Sequence, residues 1–485
     1  MESNIIQIGN KRELFWDSFL IDTEKTTAYA RLMHMTKKDC RYWFDQGHEL
    51  YAVSYPCIVK DDKGYKMYYL PWDPVTCRCR VAVLDSKDGL NWTRPKLDIF
   101  PHPELADNNI VIDEIADGEF VFYDTNPDCP PEEKYKLIGL CKGPDGRLAL
   151  WCHISPDGYH FKMSHPMTVC GAFDSMNTVR WEDGQYIAYI RNFHENKNGV
   201  IRDLLFDIND KVVLDEVEHL NEQIRDVRVM YSKDFRTWTE PKLIQFDDGM
   251  DYPLYTNVVQ VYERAPHMLI GFPTRYCERT EWTPNNDQIK SCAIKKATME
   301  REERRGGLAV TDCIFMCSRD GELWHRYNEA FMTPGYETEH NWVYGDCYPA
   351  YGLIDSGEEN YYIYSKEWHR SYGQPKPLYL YEIRKDGFAC YMAGGEEAVL
   401  VTKPLEFSGK DLHLNFETSA YGYIYVDVLD EAGNPISGES FEIYGNTIDR
   451  KISFADGTDF SAFANKPVRL RFRMRDAKLY SMKFE

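Results

Sequence analysis

Short runs of alternating apolar and polar residues, each broken by a turn, fill most of this chain. SYPCIVKDDKGYKMYYL (54–70), NTVRWEDGQYIAYIRNF (177–193), NVVQVYERAPHMLIGF (257–272) and AYGLIDSGEENYYIYSK (350–366) each read as two β-strands. Alternation at period two, rich in β-branched and aromatic residues, and bounded by Gly-containing turns is a hairpin pattern. After each pair comes a tetrad, Ser-x-Asp-x-x-x-Trp/Phe: SKDGLNW from Ser86, SPDGYHF from Ser155, SKDFRTW from Ser232 and SRDGELW from Ser318. A degenerate copy, RKDGF, begins at Arg384. Self-similarity at such a period marks an array of equivalent sheet units, here five.

The tetrad itself is assigned to turn and packing chemistry. Asp and Ser side chains bond nearby backbone groups, Gly supplies a positive φ, and the terminal aromatic packs between sheets. A feature present in every unit does not mark a single active site, so function is sought where the units differ. The fold expected is all-β, a five-bladed β-propeller over residues 1–392 followed by an antiparallel β-sandwich over 393–485. The blades end near Pro95, Ser164, Pro241, Tyr327 and residue 392. The segment RELFWDSFLID (12–22) is expected to close the ring against the last blade, which removes exposed sheet edges. Past Gly394-Gly395 the tetrad disappears, and VLVTKPLEF, DLHLNFET, YGYIYVDVLD and PVRLRFRMRD alternate as sandwich strands. Helical pattern is confined to stretches such as Glu300–Arg305, inside the charged insertion TEWTPNNDQIKSCAIKKATMEREERRGG, which reads as a solvated excursion.

Composition narrows the class. The net charge of −21 argues against nucleic-acid or anionic-membrane partners, because phosphate binding needs clustered Lys and Arg. No apolar run is long enough to span a bilayer, and the first residues lack an export signal, so a cytoplasmic location with fourteen reduced cysteines is expected. Cys77-Arg-Cys79 and the Cys313, Cys317 pair lack zinc-site spacing, and neither a metal nor an organic cofactor is expected. The 34 tyrosines point instead to a sugar, whose flat faces rest on amphipathic rings.

In a propeller the starts of the inner strands converge on one mouth of the central channel. Acids recur just before those starts, at Asp107, Asp174, Asp251 and Asp346, with Asn177, Tyr255, Asn257 and Trp342 beside them. Glu367, flanked by Trp368 and His369, ends a strand of blade five. Glycosidic cleavage needs one acid to protonate the leaving oxygen and a second to attack or to activate water. The catalytic set expected is Asp174 and Asp346 as nucleophile or base and stabiliser, facing one another across one mouth, with Glu367 as acid. Binding is assigned to Asn177, Asp251, Tyr255, Asn257, Arg275, Trp342 and His369. A phosphorylase is the first alternative, with Arg275, His369 and Arg370 as its phosphate pocket. A non-catalytic carbohydrate-binding protein is the second.

The segments LFWDSFLID, YKMYY, SKDGLNW, DNNIV, YDTNPDCPPEEKYKLIG, DSMNTVRW, APHMLIGFPTRY and NWVYGDCYPAYGL resemble the five-bladed propeller glycosidases, the invertase, levansucrase, arabinanase and β-xylosidase group. The closer resemblance is to a bacterial family described as glycosyl hydrolase family 32-like. It implies the propeller; the reaction expected is glycosidic cleavage of a small oligosaccharide or glycoconjugate, a furanoside among the candidates, and a homo-oligomer is left open. The chain departs from the better understood furanosidases at blade one, where SYPCIV holds no Asp, and in the middle blade, which lacks Arg-Asp-Pro.

Overall fold

The computed structural model describes residues 5–73, 78–101, 106–197, 199–203, 207–209, 223–302 and 304–485. Five sheets form the propeller and an antiparallel β-sandwich follows, as the alternation implies. Blade one runs from its inner strand Ala52–Asp61 through Gly64–Asp73 and Arg78–Ser86 to Ile110–Ile115. Blade two is Asp117–Tyr123, Tyr135–Lys142, Leu148–Ser155 and Lys162–Thr168. Blade three is built on Thr178–Glu182, Gln185–Lys197 and Gln223–Ser232, and blade four on Gln260–Val261, Leu269–Gly271, Met316–Ser318 and Leu323–Arg326. Blade five contains Asn360–Lys366 and Lys376–Arg384.

The DNNIV segment corrects one expectation. Ile110–Ile115 pairs with Arg78–Ser86 as the outer strand of blade one, so Asp107 is no channel residue; it is exposed and ion-paired with Lys96. The run IVIDEIADGEFVFY holds two strands of two different blades, joined by a turn at Ala116-Asp117.

Each tetrad makes the same turn. Ser155 Oγ accepts the Gly158 amide at 3.0 Å, and Asp157 Oδ1 accepts those of Tyr159 and His160 at 2.8 and 2.9 Å. In the third copy the amides of Thr237 and then Arg236 hold the Asp234 carboxyl down at about 2. The turn also locks neighbouring blades together. A tyrosine on the second strand of the preceding blade donates to the tetrad's glycine carbonyl: Tyr364 to Gly89 at 2.9 Å, Tyr68 to Gly158 at 2.9 Å and Tyr189 to Gly321 at 3.1 Å. A Cβ at Gly158 or Gly321 would stand 2.5 or 2.3 Å from that hydroxyl, and both glycines have φ near +77°. Only glycine fits there.

The ring is closed by Thr36–Phe44, antiparallel to Lys376–Arg384, rather than by the RELFWDSFLID segment. That segment instead sits between propeller and sandwich. Alternation sends Leu14 and Trp16 into the propeller core and Phe15 into the sandwich core. Ile6–Gly9 pairs with Leu405–Phe407, Glu13–Leu14 with Arg469–Phe484, and Tyr29–Leu32 with Ala389–Ala393. The indole of Trp16 meets Tyr262, Phe315 and Phe388 edge-on at 4.9 to 5.4 Å and donates to Asp386 O at 2.8 Å.

Asp386, the acid of the degenerate fifth tetrad, is fully buried. It accepts from Tyr262 Oη at 2.6 Å, Arg264 Nε at 2.8 Å, Ser481 Oγ at 2.7 Å and Asn415 Nδ2 at 3.1 Å, with Arg12 at 3.4 Å. Burial would lift the carboxyl, but Arg264 and then Arg12 hold it below its ordinary value. Removing one side of a buried ion pair leaves the other charge uncompensated, at a cost of about 3–5 kcal/mol. Asp386→Ala is therefore expected to lose about that much stability in urea denaturation; a loss under about 1 kcal/mol would show that the joint is dispensable.

Candidate functional site

The site begins with a glycine. Gly118 (φ +67°) follows Asp117 at the start of blade two, and a Cβ there would stand 1.9 Å from Phe173 O and 2.6 Å from Ser175 O. Without one, the start of blade two lies directly on the loop that opens blade three, and Asp117 comes beside Asp174. Asp117 Oδ1 accepts the Gly118 amide at 2.7 Å. Burial first, and then the charge of Asp174, push the Asp117 carboxyl up to about 7.

Asp174 is 47% exposed and ion-paired with Arg191. Its backbone carbonyl accepts from Tyr55 Oη at 3.1 Å and Tyr255 Oη at 2.9 Å. Tyr55 has φ +49° at a bulge between Ser54 and Cys57. At blade one, which has no acid in SYPCIV, the residue reaching the carboxylate loop is thus a tyrosine. Tyr255 and Tyr348 stack at 5.7 Å, and Tyr344 meets Tyr255 edge-on at 5.9 Å. These rings, with Trp72, His369 and Arg370, wall a cleft of about 290 Å³ that Asp117 also lines. Arg370 donates to Tyr344 O at 3.0 Å and to Tyr372 Oη at 2.7 Å.

The structure divides the residues expected from sequence. Tyr255 and His369 line the cleft, and the Asp174 backbone carbonyl is held by the hydroxyls of Tyr55 and Tyr255, both of which line it. Burial and then Lys366, whose ammonium touches Nδ1, keep the His369 imidazole well below its usual pKa. Asp346 is buried in the loop behind the cleft wall, where Oδ2 accepts the Val343 amide at 3.0 Å, and burial pushes its carboxyl up to about 7. Glu367 turns toward the ring-closing strand, bonded to Lys37 at 2.6 Å and Tyr381 Oη at 2.7 Å. Among the described residues no hydrogen bond joins Asp346 or Glu367 to Asp174; the acid whose field Asp117 feels is Asp174.

Five expected binding residues hold the scaffold. Asn177 donates to Phe173 O and Ser175 O at 3.2 and 2.8 Å and accepts the Arg191 amide at 2.9 Å, which fixes the Asp174 loop. Asn257 accepts from Thr178 Oγ1 at 2.9 Å between blades three and four. Arg275 is forked onto Asp312 at 2.7 and 2.6 Å, and the Trp342 indole donates to Gly335 O at 2.9 Å. Asp251 joins Asp226 around His194, at 2.9 and 3.1 Å; despite burial, those two bonds lift the imidazole to about 9.

The insertion contributes to the rim. Its helix Cys292–Glu302 donates from Lys295 Nζ to Trp342 O at 3.2 Å, and Arg301 lies 4.9 Å from the ring of Tyr372, a cleft residue. Among the described residues no group of three or more His, Cys, Asp or Glu side chains is placed to hold a metal ion, and thirteen cysteines are free. Cys77 lies outside the described residues. No helix among them is long and apolar enough to cross a membrane.

No family model matches the chain, and no curated protein does. The fold does find solved structures. The chain is a five-bladed propeller similar to glycoside hydrolases. An N-acetylgalactosamine deacetylase from F. plautii, in complex with blood group B trisaccharide, shares 12% identity over 73% of this chain and 95% of its own, with a TM-score of 0.42. An α-L-arabinanase of Penicillium chrysogenum complexed with arabinobiose shares 9% over 73% and 99%, with a TM-score of 0.39. A GH130 protein, of a family of mannoside phosphorylases that contains hydrolases of β-1,2 mannosidic linkages, shares 11% over 78% and 96%, with a TM-score of 0.38. At these values the likeness carries no argument about chemistry, which rests on the cleft.

The raised Asp117 carboxyl makes a stability prediction. Between the ordinary carboxylate value near ~4 and about 7, the folded chain holds a proton that the unfolded chain has released. Stability therefore falls as pH rises through that window. Asp117→Asn removes this slope, so its melting temperature is expected to gain on wild type as pH rises from below ~4 to above about 7. A difference independent of pH would show that Asp117 titrates normally.

Proposed function

We propose that the chain is a glycoside hydrolase acting on a small oligosaccharide or glycoconjugate, with Asp117 as general acid and Asp174 as nucleophile or base. The observation that carries this reading is the carboxyl pair itself. A carboxyl that lines the cleft and keeps its proton up to about 7 through burial and its neighbour's charge, beside a second acid ion-paired with a guanidinium, is how one site runs acid and base chemistry together. The protonated Asp117 gives its proton to the leaving oxygen as the C–O bond breaks. Asp174 attacks the anomeric carbon or takes a proton from water. Tyr55 and Tyr255 hold the Asp174 backbone in place, and the tyrosine walls offer the sugar an apolar face.

A phosphorylase is the second reading, favoured by Arg370 and His369 in the cleft wall; Arg275, its third expected residue, is engaged by Asp312. The cell interior is the proposed location. The sandwich, residues 393–485, is proposed as an accessory domain, with the three N-terminal strands completing its sheets.

Turnover on a substrate screen with reducing-end detection tests the assignment. Asp117→Asn and Asp174→Asn are expected to lower kcat by ~100-fold or more with folding retained. Wild-type activity should decline as pH rises through about 7, where Asp117 loses its proton. A comparable loss in Glu367→Gln, with Asp117→Asn unaffected, would return the chemistry to blade five.

A further inference from the structure

Against Tyr255, a residue of the cleft, lies a cation with no carboxylate partner among the described residues. Arg225 is the third residue of the strand Gln223–Ser232 of blade three and is 5% exposed. Its guanidinium makes no hydrogen bond or ion pair with any described side chain, and its Nε is sealed from solvent without a partner. Its neighbours are rings: Tyr276 at 4.0 Å, Phe193 at 5.7 Å and Tyr255 at 5.8 Å. Arg191, the second arginine over Tyr255, differs in having Asp174 as its anion. Burial, and then the repulsion of Arg191, pull the Arg225 guanidinium below its ordinary pKa.

A buried guanidinium costs several kcal/mol unless something pairs with it. The ring faces around it return only part of that cost and satisfy none of its N–H donors. In a chain of net charge −21, an unneutralised arginine beside a ligand cleft is also against the prevailing composition. Arg225 and Arg370, a lining residue of the cleft, both act on Tyr348 of the cleft wall. Arginine's planar fork matches the oxygens of carboxylate and phosphate.

We propose that Arg225 is the anchor of an oxyanion subsite beside Tyr255 of the cleft, and that the ligand presents a carboxylate or phosphate group there. Resting on the sugar-cleaving reading, this names two sources for one chemistry: a uronic-acid residue of the substrate, or inorganic phosphate entering as the attacking group. Each places its oxygens against Arg225 while the sugar ring lies on Tyr255 and Tyr348. The subsite binds whether or not Asp117 and Asp174 perform the chemistry.

The test is thermal melting and calorimetric titration of the full chain with inorganic phosphate, glucuronate, galacturonate and, as neutral control, glucose. For wild type, phosphate or a uronate is expected to raise the melting temperature at millimolar concentration while glucose does not. Arg225→Met is expected to melt higher than wild type without ligand, since an unpaired buried charge is gone, and to lose about tenfold or more in anion affinity. Arg225→Lys keeps the charge and loses the fork, and falls between the two. Asp117→Asn keeps the anion response, so failure of the hydrolase reading leaves this result standing. A response to phosphate alone identifies the free anion; one to a uronate alone identifies the substrate's own carboxylate. Equal anion responses in wild type and Arg225→Met, no response to any of the three anions, or an unliganded Arg225→Met that melts below wild type would overturn the subsite.

Discussion

The interaction on which the propeller depends is the hydrogen bond from a second-strand tyrosine to the tetrad glycine of the next blade. Each blade alone is a four- or five-stranded sheet with two apolar faces, and its stability comes from what covers them. Tyr364, Tyr68 and Tyr189 cross those interfaces carrying both ring area and a hydroxyl, and the hydroxyl finds the carbonyls of Gly89, Gly158 and Gly321. A buried phenol with no acceptor would cost about 1–3 kcal/mol, so the bond fixes how far one blade turns against the next. Blade three departs from the pattern. Its tetrad has Phe235 where the others have glycine, at φ +62°, and the ring packs on Phe122 and Tyr186 of the interface instead.

That rotation decides where the functional groups meet. Asp117 and Asp174 belong to different blades and come together only because Gly118 lets the backbones touch. Pushing a carboxyl to about 7 amounts to ~4 kcal/mol of differential stabilisation of its neutral form, a strain the interblade packing must carry. Arg225, against Tyr255 of the same cleft, adds a guanidinium with no carboxylate partner among the described residues. A fold selected for stability alone would remove both, and their concentration at one cleft is what functional sites show.

Sequence periodicity was legible at the scale of blades and misleading at the scale of single residues. The tetrad's turn chemistry followed from Ser, Asp and Gly types, because those bonds are local. Asp117 escaped because IVIDEIADGEFVFY reads as continuous apolar alternation; the Ala-Asp-Gly turn within it is the one available signal that a blade ends there. Asn177 and Asn257 stood at the right strand starts, yet their amides point into backbone, binding Ser175 O and Met176 O at 2.8 and 3.1 Å. Side-chain direction at a strand start is set by φ, and Tyr55, Val258, Trp342 and Cys347 all take positive φ there. No period-two argument survives such a turn.

The acids of blade five gain a structural reason through the same geometry. Asp346 caps its own loop at the Val343 amide, and the turn so closed brings Gly345 so close to His369 that a Cβ would stand 2.3 Å from the ring. The imidazole is thereby pressed into the cleft wall with Lys366 against its Nδ1. Burial depresses the basicity of both Lys366 and His369, so among the basic groups of this wall Arg370 is the one left to carry charge toward a ligand. In the proposed reading the positive potential comes from Arg225 and Arg370, and the proton from Asp117. Blade five then shapes the pocket and adds Arg370, while blades two and three supply the acids.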